Sequence, residues 1–112
     1  MRHQIVAGNW KMHKNLSETH VLLDELIELL PTGKEVEVIV APAFTNLASA
    51  VNHLEGTNIQ VAAQNMHQAE GGAFTGEISA QMLLSVGVET VIIGHSERRH
   101  YFKETDAILA DK

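Results

Sequence analysis

Short runs of β-branched and other apolar residues alternate along the chain with longer segments in which apolar residues recur at helical spacing. The short runs suit strands that are buried on both faces. We predict four strands, near residues 5–10, 36–41, 59–64 and 90–94. Their starts have the spacing of strand–helix units, so the pattern predicts an α/β fold built on a parallel sheet.

Helices are predicted between the strands from apolar periodicity and from residues that suit helix ends. Asn15 and Glu18 have the spacing of a capping box, and apolar residues then follow at three- and four-residue steps up to Leu30. Pro31 and Gly33 are expected to end this helix. Further helices are predicted to begin near Thr45, Ser79, Ser96 and Thr105.

Right-handed crossovers allow this pattern to form either an open sheet with helices on both faces or a sheet that curls towards a barrel. Periodicity does not choose between them. In both folds the carboxyl ends of the strands gather on one rim, where ligands bind. A lysine and several amides near a histidine there would suit a small anionic substrate. The predicted rim carries Asn9, Lys11, Gln64, Asn65, His95 and Glu97.

The segment after the fourth strand has the strongest chemical signal. Gly94 ends the strand and His95 follows at once. Ser96 is expected to cap a helix, and Glu97 in its first turn favours the positive end of the helix dipole. That positive field disfavours imidazolium, so we expect a neutral imidazole that donates one hydrogen bond.

Composition excludes several classes of function. The chain has 112 residues and 45% hydrophobic content, which is typical of one globular domain. A net charge of −6 argues against nucleic-acid and anionic-membrane partners. The absence of cysteine excludes disulfides and thiolate zinc sites. The apolar run near the amino terminus is too short for a signal-peptide core or a membrane span, so a cytoplasmic location is expected.

No metal or cofactor is predicted from the motifs. The seven histidines lack the helical spacing of a zinc pair, and His95 and His100 are expected on different faces of their helix. The sequence at Gly33 and Lys34 lacks the other residues of a phosphate-binding loop. The glycines at 71, 72 and 76 do not fit the dinucleotide-binding pattern.

Four longer motifs closely resemble the triosephosphate isomerase family, and the similarity runs in order through the whole chain. The motifs are AGNWKM at 7–12, QN at 64–65, GGAFTGEIS at 71–79 and IIGHSERR at 92–99. The resemblance implies a (β/α)8 TIM barrel. It also implies the glycolytic and gluconeogenic interconversion of dihydroxyacetone phosphate and glyceraldehyde 3-phosphate, by proton transfer through an enediolate without metal or cofactor.

The resemblance also implies roles for individual residues. His95 would be the catalytic electrophile and Lys11 the cationic catalytic and substrate-binding residue. Asn9 would bind substrate beside Lys11. Trp10 lies between these two in the substrate-binding motif and is expected to pack. Ser96 and Glu97 would support the site, and we interpret Glu97 as a partner of Lys11 and His95 rather than as the base.

The loop at 65–79 resembles the dimer loop of the family, whose tip inserts into the other subunit near the active site. Met12 and Phe74 would lie in that interface, and Thr75 would reach the catalytic residues of the neighbour. Phe74 and Met66 are apolar choices for a solvated loop, which favours an interface. The resemblance therefore implies a homodimer.

Barrels of this kind need about 250 residues, so we expect the chain to supply the first four of the eight βα units. The family's base glutamate, lid loop and phosphate-binding glycine amides would belong to the carboxyl-terminal half. We expect residues 1–112 alone to be inactive and to pair with that half or to self-associate. The alternative hypothesis is a non-catalytic, self-associating or complementing half-barrel. A flavodoxin-like anion binder would not explain GNWKM and GHSERR together.

Overall fold

The computed structural model describes residues 2–30 and 32–112, and at its centre lies a sheet of four parallel strands. The strands are β1 (Gln4–Asn9), β2 (Val36–Ala41), β3 (Ile59–Ala63) and β4 (Thr90–Val91). They lie side by side in chain order. The register places Asn9 opposite Ala41 at the carboxyl ends of β1 and β2, so these ends are level.

Helices connect the strands, and most of them begin at a side-chain cap. They are α1 (Leu16–Leu29), α2 (Leu47–His53), α3 (Ala80–Ser85), α4 (Ser96–Tyr101) and α5 (Asp106–Asp111). Asn15 and Glu18 form the predicted capping box, in which Asn15 Oδ1 accepts the Glu18 N–H at 2.9 Å and Glu18 Oε1 accepts the Asn15 N–H at 3.1 Å. Ser79 caps α3 as predicted, and α5 begins near Thr105 as predicted, with Thr105 as its cap.

The two faces of the sheet differ, and this difference decides the architecture. Side chains alternate along a strand, so Val40 packs with the helices while its neighbours Ile39 and Ala41 point to the other face. The helix side holds the larger core, which includes Leu23 of α1 and Leu47 of α2. With the helices outside a curled parallel sheet, the fold is that of the first four βα units of a TIM barrel.

The predicted strands agree closely with the observed ones except at β4. The prediction extended β4 to Gly94, but it ends at Val91, and only the Ile92 N–H continues the pairing, at 2.9 Å from the Ala63 carbonyl oxygen. The prediction of a helix capped by Thr45 was wrong. A short 3₁₀ turn, Phe44–Asn46, precedes α2 there, and neither start has a side-chain cap.

Pro31, which was expected to end α1, lies outside the described residues; the helix itself ends at Leu29. Among residues 2–30 and 32–112, no helix is both long enough and apolar enough to cross a bilayer.

Candidate active site

The parallel pairing brings the segments that follow β1, β3 and β4 to one rim of the sheet. Asn9 is the last residue of β1, and Lys11 lies two residues beyond it. Gln64 follows β3 directly, and His95 lies just before α4. The structure therefore joins, on one edge, residues that are far apart in the sequence.

Lys11 and Glu97 form an ion pair across this rim. Lys11 Nζ lies 2.6 Å from Glu97 Oε1, and both side chains are about half exposed. The hydrogen bond from Lys11 is the main reason that the pKa of Glu97 lies below its ordinary value, and the positive charge of Lys11 adds to this lowering against the opposing effect of burial. Glu97 is therefore held as a carboxylate that fixes the ammonium group.

His95 is the cap of α4, and its capping hydrogen bond determines which ring nitrogen lacks a proton. His95 Nδ1 accepts the Glu97 N–H at 3.1 Å, so this nitrogen uses its lone pair and carries no proton in that arrangement. The neutral ring then has its proton on Nε2, which becomes the donor. Glu97 Oε2 lies 3.7 Å from the same Nδ1.

The prediction that Ser96 caps α4 was wrong, because the cap residue is His95 and Ser96 is the first residue of the helix. The conformation of Gly94 explains why His95 rather than Ser96 is the cap. Its φ of +72° turns the chain sharply before the helix, and a Cβ there would lie 3.1 Å from Leu109 Cδ1. Glycine at this position lets His95, rather than Ser96, enter the cap position.

Lys11 has an uncommon backbone conformation. Its φ is +55°, the left-handed region, which costs a residue with a side chain about 1–2 kcal/mol. The side chain of Asn9 stabilises this turn, because Asn9 Oδ1 accepts the Lys11 N–H at 3.0 Å. The amide predicted to bind substrate thus also shapes the loop that carries the lysine.

Comparison with known proteins gives this arrangement a family. The family model for triosephosphate isomerase matches residues 4–112. The chain belongs to the triosephosphate isomerase family. It is 67% identical to the triosephosphate isomerase of Flavobacterium psychrophilum and 63% identical to that of Flavobacterium johnsoniae. It is 54% identical to that of Caldanaerobacter subterraneus subsp. tengcongensis.

Each of these alignments covers 112 residues, which is the whole chain and 45% of the relative. The chain therefore spans a little under half the length of the curated triosephosphate isomerases that it matches.

Phe74 and Thr75, two of the residues proposed for the dimer interface of a triosephosphate isomerase, lie in the loop between β3 and α3, which is held by internal contacts. The His67 and Phe74 rings are 4.3 Å apart, and the His67 N–H is 2.7 Å from the Ile78 carbonyl oxygen. Phe74 nevertheless remains 48% exposed, and Thr75 is exposed. Met12, in the loop after β1, is 94% exposed.

Trp10 differs from its neighbours in the substrate-binding motif. It is half-buried and packs against the core on the helix side of the sheet. Its N–H is 3.1 Å from the Ala41 carbonyl oxygen, which extends the pairing of β1 with β2. The expectation that Trp10 packs is confirmed, whereas its grouping with substrate-binding residues stays a prediction.

Sequence reasoning missed a second ion cluster, around Glu104 in the segment after α4. Glu104 Oε2 accepts hydrogen bonds from Lys112 Nζ and, at 3.2 Å, from Arg98 Nε. Lys112 Nζ also donates to Asn65 Oδ1 at 2.7 Å. Burial opposes the ionisation of Glu104, but the hydrogen bonds from Lys112 and Arg98 outweigh it and keep its pKa below the ordinary value.

The two arginines of the GHSERR motif both form ion pairs within the chain. Arg98 pairs with Glu104, and Arg99 Nη1 lies 2.7 Å from Asp106 Oδ1. No sequence signal identified Glu104 or Lys112, since neither falls at helical spacing from its partner.

Proposed function

We propose that the chain is the amino-terminal part of a triose-phosphate isomerase, an enzyme of glycolysis and gluconeogenesis. It would interconvert dihydroxyacetone phosphate and D-glyceraldehyde 3-phosphate by proton transfer through an enediolate. One observation carries the proposal. Lys11, Glu97 and His95 meet on one rim, with Lys11 Nζ 2.6 Å from Glu97 Oε1 and the Glu97 N–H donated to His95 Nδ1 at 3.1 Å.

His95 would act as the electrophile. With Nδ1 occupied by the Glu97 N–H, a neutral ring donates from Nε2. A donor aimed at the substrate carbonyl polarises it and stabilises the oxyanion that develops as the neighbouring carbon loses its proton. A neutral histidine electrophile at a helix N-terminus is the established arrangement in triosephosphate isomerases, so this assignment follows the family.

Lys11 and Asn9 would bind the anionic substrate. The ammonium group of Lys11 supplies positive charge to the phosphate and to the enediolate oxygen. Its pairing with Glu97 fixes its position without removing it from solvent, since both side chains are about half exposed. Asn9 lies beside Lys11, and its side-chain oxygen accepts a hydrogen bond from the Lys11 N–H. Trp10 would support this strand end, and Ser96 would support the start of α4.

Glu97 is poorly suited to remove the carbon-bound proton. Its pKa is lowered, mainly by the hydrogen bond from Lys11, and a weaker base transfers protons less effectively. We therefore propose that the base and the phosphate-binding amides come from a carboxyl-terminal half that completes the barrel. Residues 1–112 by themselves would then have no measurable turnover, and no metal or cofactor would take part.

We further propose that the complete protein is a homodimer and acts in the cytoplasm. Met12 and Phe74 are exposed apolar side chains near the carboxyl ends of the strands, and Thr75 lies beside Phe74. Apolar groups of this kind at the tip of an ordered loop favour a protein interface. The acidic balance of the chain gives no support to a nucleic-acid or membrane partner.

Complementation tests the proposed activity. The chain is mixed with the carboxyl-terminal half of the Flavobacterium psychrophilum relative, and isomerisation and molecular size are measured. We expect activity only in the mixture. As a control, His95→Asn in the mixture should lower the rate about 100-fold or more, because the donor that polarises the substrate carbonyl is lost. A well-formed complex with no activity would contradict the proposal.

The alternative is a non-catalytic half-barrel that self-associates. The observation that favours it is the exposure of Ile5 and Val6 on the edge strand β1, since an open apolar edge invites pairing. A defined oligomer of residues 1–112 that does not change when the second half is added would support this alternative. A shift from such an oligomer to an active complex would support the isomerase.

A further inference from the structure

The geometry points to Gln64 as the positioning residue for Lys11. Its side-chain amide holds Lys11 in the left-handed backbone conformation from which the ammonium group reaches Glu97. The catalytic consequence of this inference rests on the proposed function, but the positioning itself does not.

Gln64 makes two hydrogen bonds with one nitrogen. Its Nε2 donates to the Lys11 carbonyl oxygen and to the Ala41 carbonyl oxygen, each at 2.8 Å. An amide nitrogen has two hydrogens, so both are used. Ala41 O also accepts the Trp10 N–H, so a residue following β3 ties together the ends of β1 and β2.

The bond to Lys11 lies beyond the regular pairing of the strands. The β1–β2 register ends with Asn9 opposite Ala41. The Lys11 carbonyl therefore comes two residues after the last strand pair, and the Gln64 side chain supplies the donor that a strand would otherwise supply.

Lys11 needs such support because its φ of +55° is unfavourable for a residue with a side chain. Asn9 Oδ1 accepts the N–H on one side of its Cα, and Gln64 Nε2 donates to the C=O on the other side. These two bonds fix the two peptide groups that flank Lys11. Together they fix both backbone torsions.

The backbone torsions decide where the ammonium group lies. If φ of Lys11 returned to negative values, the direction of its Cα–Cβ bond would change and Nζ would move away from Glu97. The Lys11 side chain is half exposed, so packing does little to hold it in place. The position of the charge therefore depends mainly on the backbone, and the backbone depends on Asn9 and Gln64.

The first test uses the pKa of Glu97, which the hydrogen bond from Lys11 lowers. The substitution Gln64→Met keeps the size of the side chain and removes both donors. In the 112-residue chain, an NMR titration of the Glu97 carboxyl carbon should give a pKa closer to the ordinary value. Gln60→Met, near the start of β3 and distant from the rim, is the matched control and should leave the Glu97 pKa unchanged.

An unchanged Glu97 pKa in a folded Gln64→Met variant would overturn the inference. So would an equal shift in the control. If Gln64→Met fails to fold, Gln64→Asn keeps the amide and shortens it by one methylene, so that it cannot reach both carbonyls. The same rise in the Glu97 pKa is then expected. A folded Gln64→Asn variant with the original Glu97 pKa would equally overturn the inference.

The second test is a double-mutant cycle in the complemented enzyme. Misplacing the ammonium group should lower kcat/KM about 100-fold in Gln64→Met. If Gln64 acts through Lys11, it should add little to the loss already caused by Lys11→Met. Additive losses would instead indicate an independent structural role and contradict the inference. A parent mixture without activity would contradict the proposed function, while the Glu97 titration would still decide the role of Gln64.

Discussion

The chain has two lysine–glutamate pairs near α4, one with Glu97 in the first turn of the helix and one with Glu104 after its end, and they differ in exposure. The side chains of Lys11 and Glu97 are 50% and 42% exposed. Those of Lys112 and Glu104 are 4% and 7% exposed. The same two functional groups thus form one pair open to solvent at the rim and one pair enclosed by protein.

The difference matches the proposed catalytic role of the exposed pair and indicates a structural role for the enclosed pair. An exposed ion pair contributes little to stability, because water already solvates and screens both charges. Breaking an enclosed pair leaves an uncompensated charge and costs far more. Glu104 Oε1 is buried and has no hydrogen-bond partner among the described residues, so this carboxylate depends on the cations at its other oxygen.

The largest expected effect is on catalysis. Lys11→Met should lower isomerisation by the complemented enzyme about 100-fold to 1,000-fold, because a charge that stabilises the developing oxyanion is removed. The free energy of unfolding should change by less than about 1 kcal/mol, since the pair is exposed. Steady-state kinetics measures the rate of isomerisation, and urea denaturation measures the free energy of unfolding. A large loss of stability with normal activity would reverse the roles assigned to the pairs.

The next effect is on stability. Glu104→Gln leaves Lys112 and Arg98 without their carboxylate and should lower the free energy of unfolding by about 3 kcal/mol. Glu97→Gln is the matched control, and it should change the free energy of unfolding much less because its pair is exposed. Urea denaturation of both variants gives the comparison. Equal effects would show that exposure does not distinguish the two pairs.

The dependence of stability on pH should also come from the enclosed pair. The pKa of Glu104 in the folded chain is below its ordinary value of 4.5, so its stabilising effect is fully present above 4.5. This stabilising effect is lost as the pH falls through the lowered pKa of the folded chain, because Glu104 in the unfolded chain binds its proton at a higher pH. The urea midpoint of Glu104→Gln should therefore fall less steeply on acidification. If the urea midpoints of the variant and the parent fell equally with pH, Glu104 would not be the source of the pH dependence.

The smallest effect is that of salt. At about 1 M NaCl the screening length falls to roughly 3 Å, which weakens exposed charge pairs much more than enclosed ones. The pKa of Glu97 should then rise towards its ordinary value while that of Glu104 changes less, as an NMR titration would measure. A larger response from Glu104 would mean that solvent reaches the cluster that we describe as enclosed.

Local sequence signals predicted much of this molecule because they depend on neighbours in the chain. The β-branched run at 36–41 marks β2 with its observed bounds, and Asn15 with Glu18 marks the start of α1. The strand pattern predicted that His95, Lys11 and Asn9 lie on one rim, because the carboxyl ends of parallel strands gather there, and the resemblance supplied the roles expected of them.

What sequence reasoning missed depends on backbone geometry or on contacts between distant residues. Ser96 looked like the cap because serine favours that position, yet the turn at Gly94 brings His95 there instead. Nothing in a lysine signals a positive φ, so the bonds that Gln64 makes to the Lys11 loop were not predictable. Glu104 meets Lys112 only because the chain between them folds back through α5.

The central claim is that His95 keeps Nδ1 free of a proton and donates from Nε2 on the rim that it shares with Lys11. Ring ¹⁵N chemical shifts of selectively labelled protein, measured near neutral pH in the complemented enzyme, test this directly. We predict the shift of an unprotonated acceptor at Nδ1 and of a protonated nitrogen at Nε2. A proton on Nδ1, in either the other neutral tautomer or the imidazolium, would contradict the account.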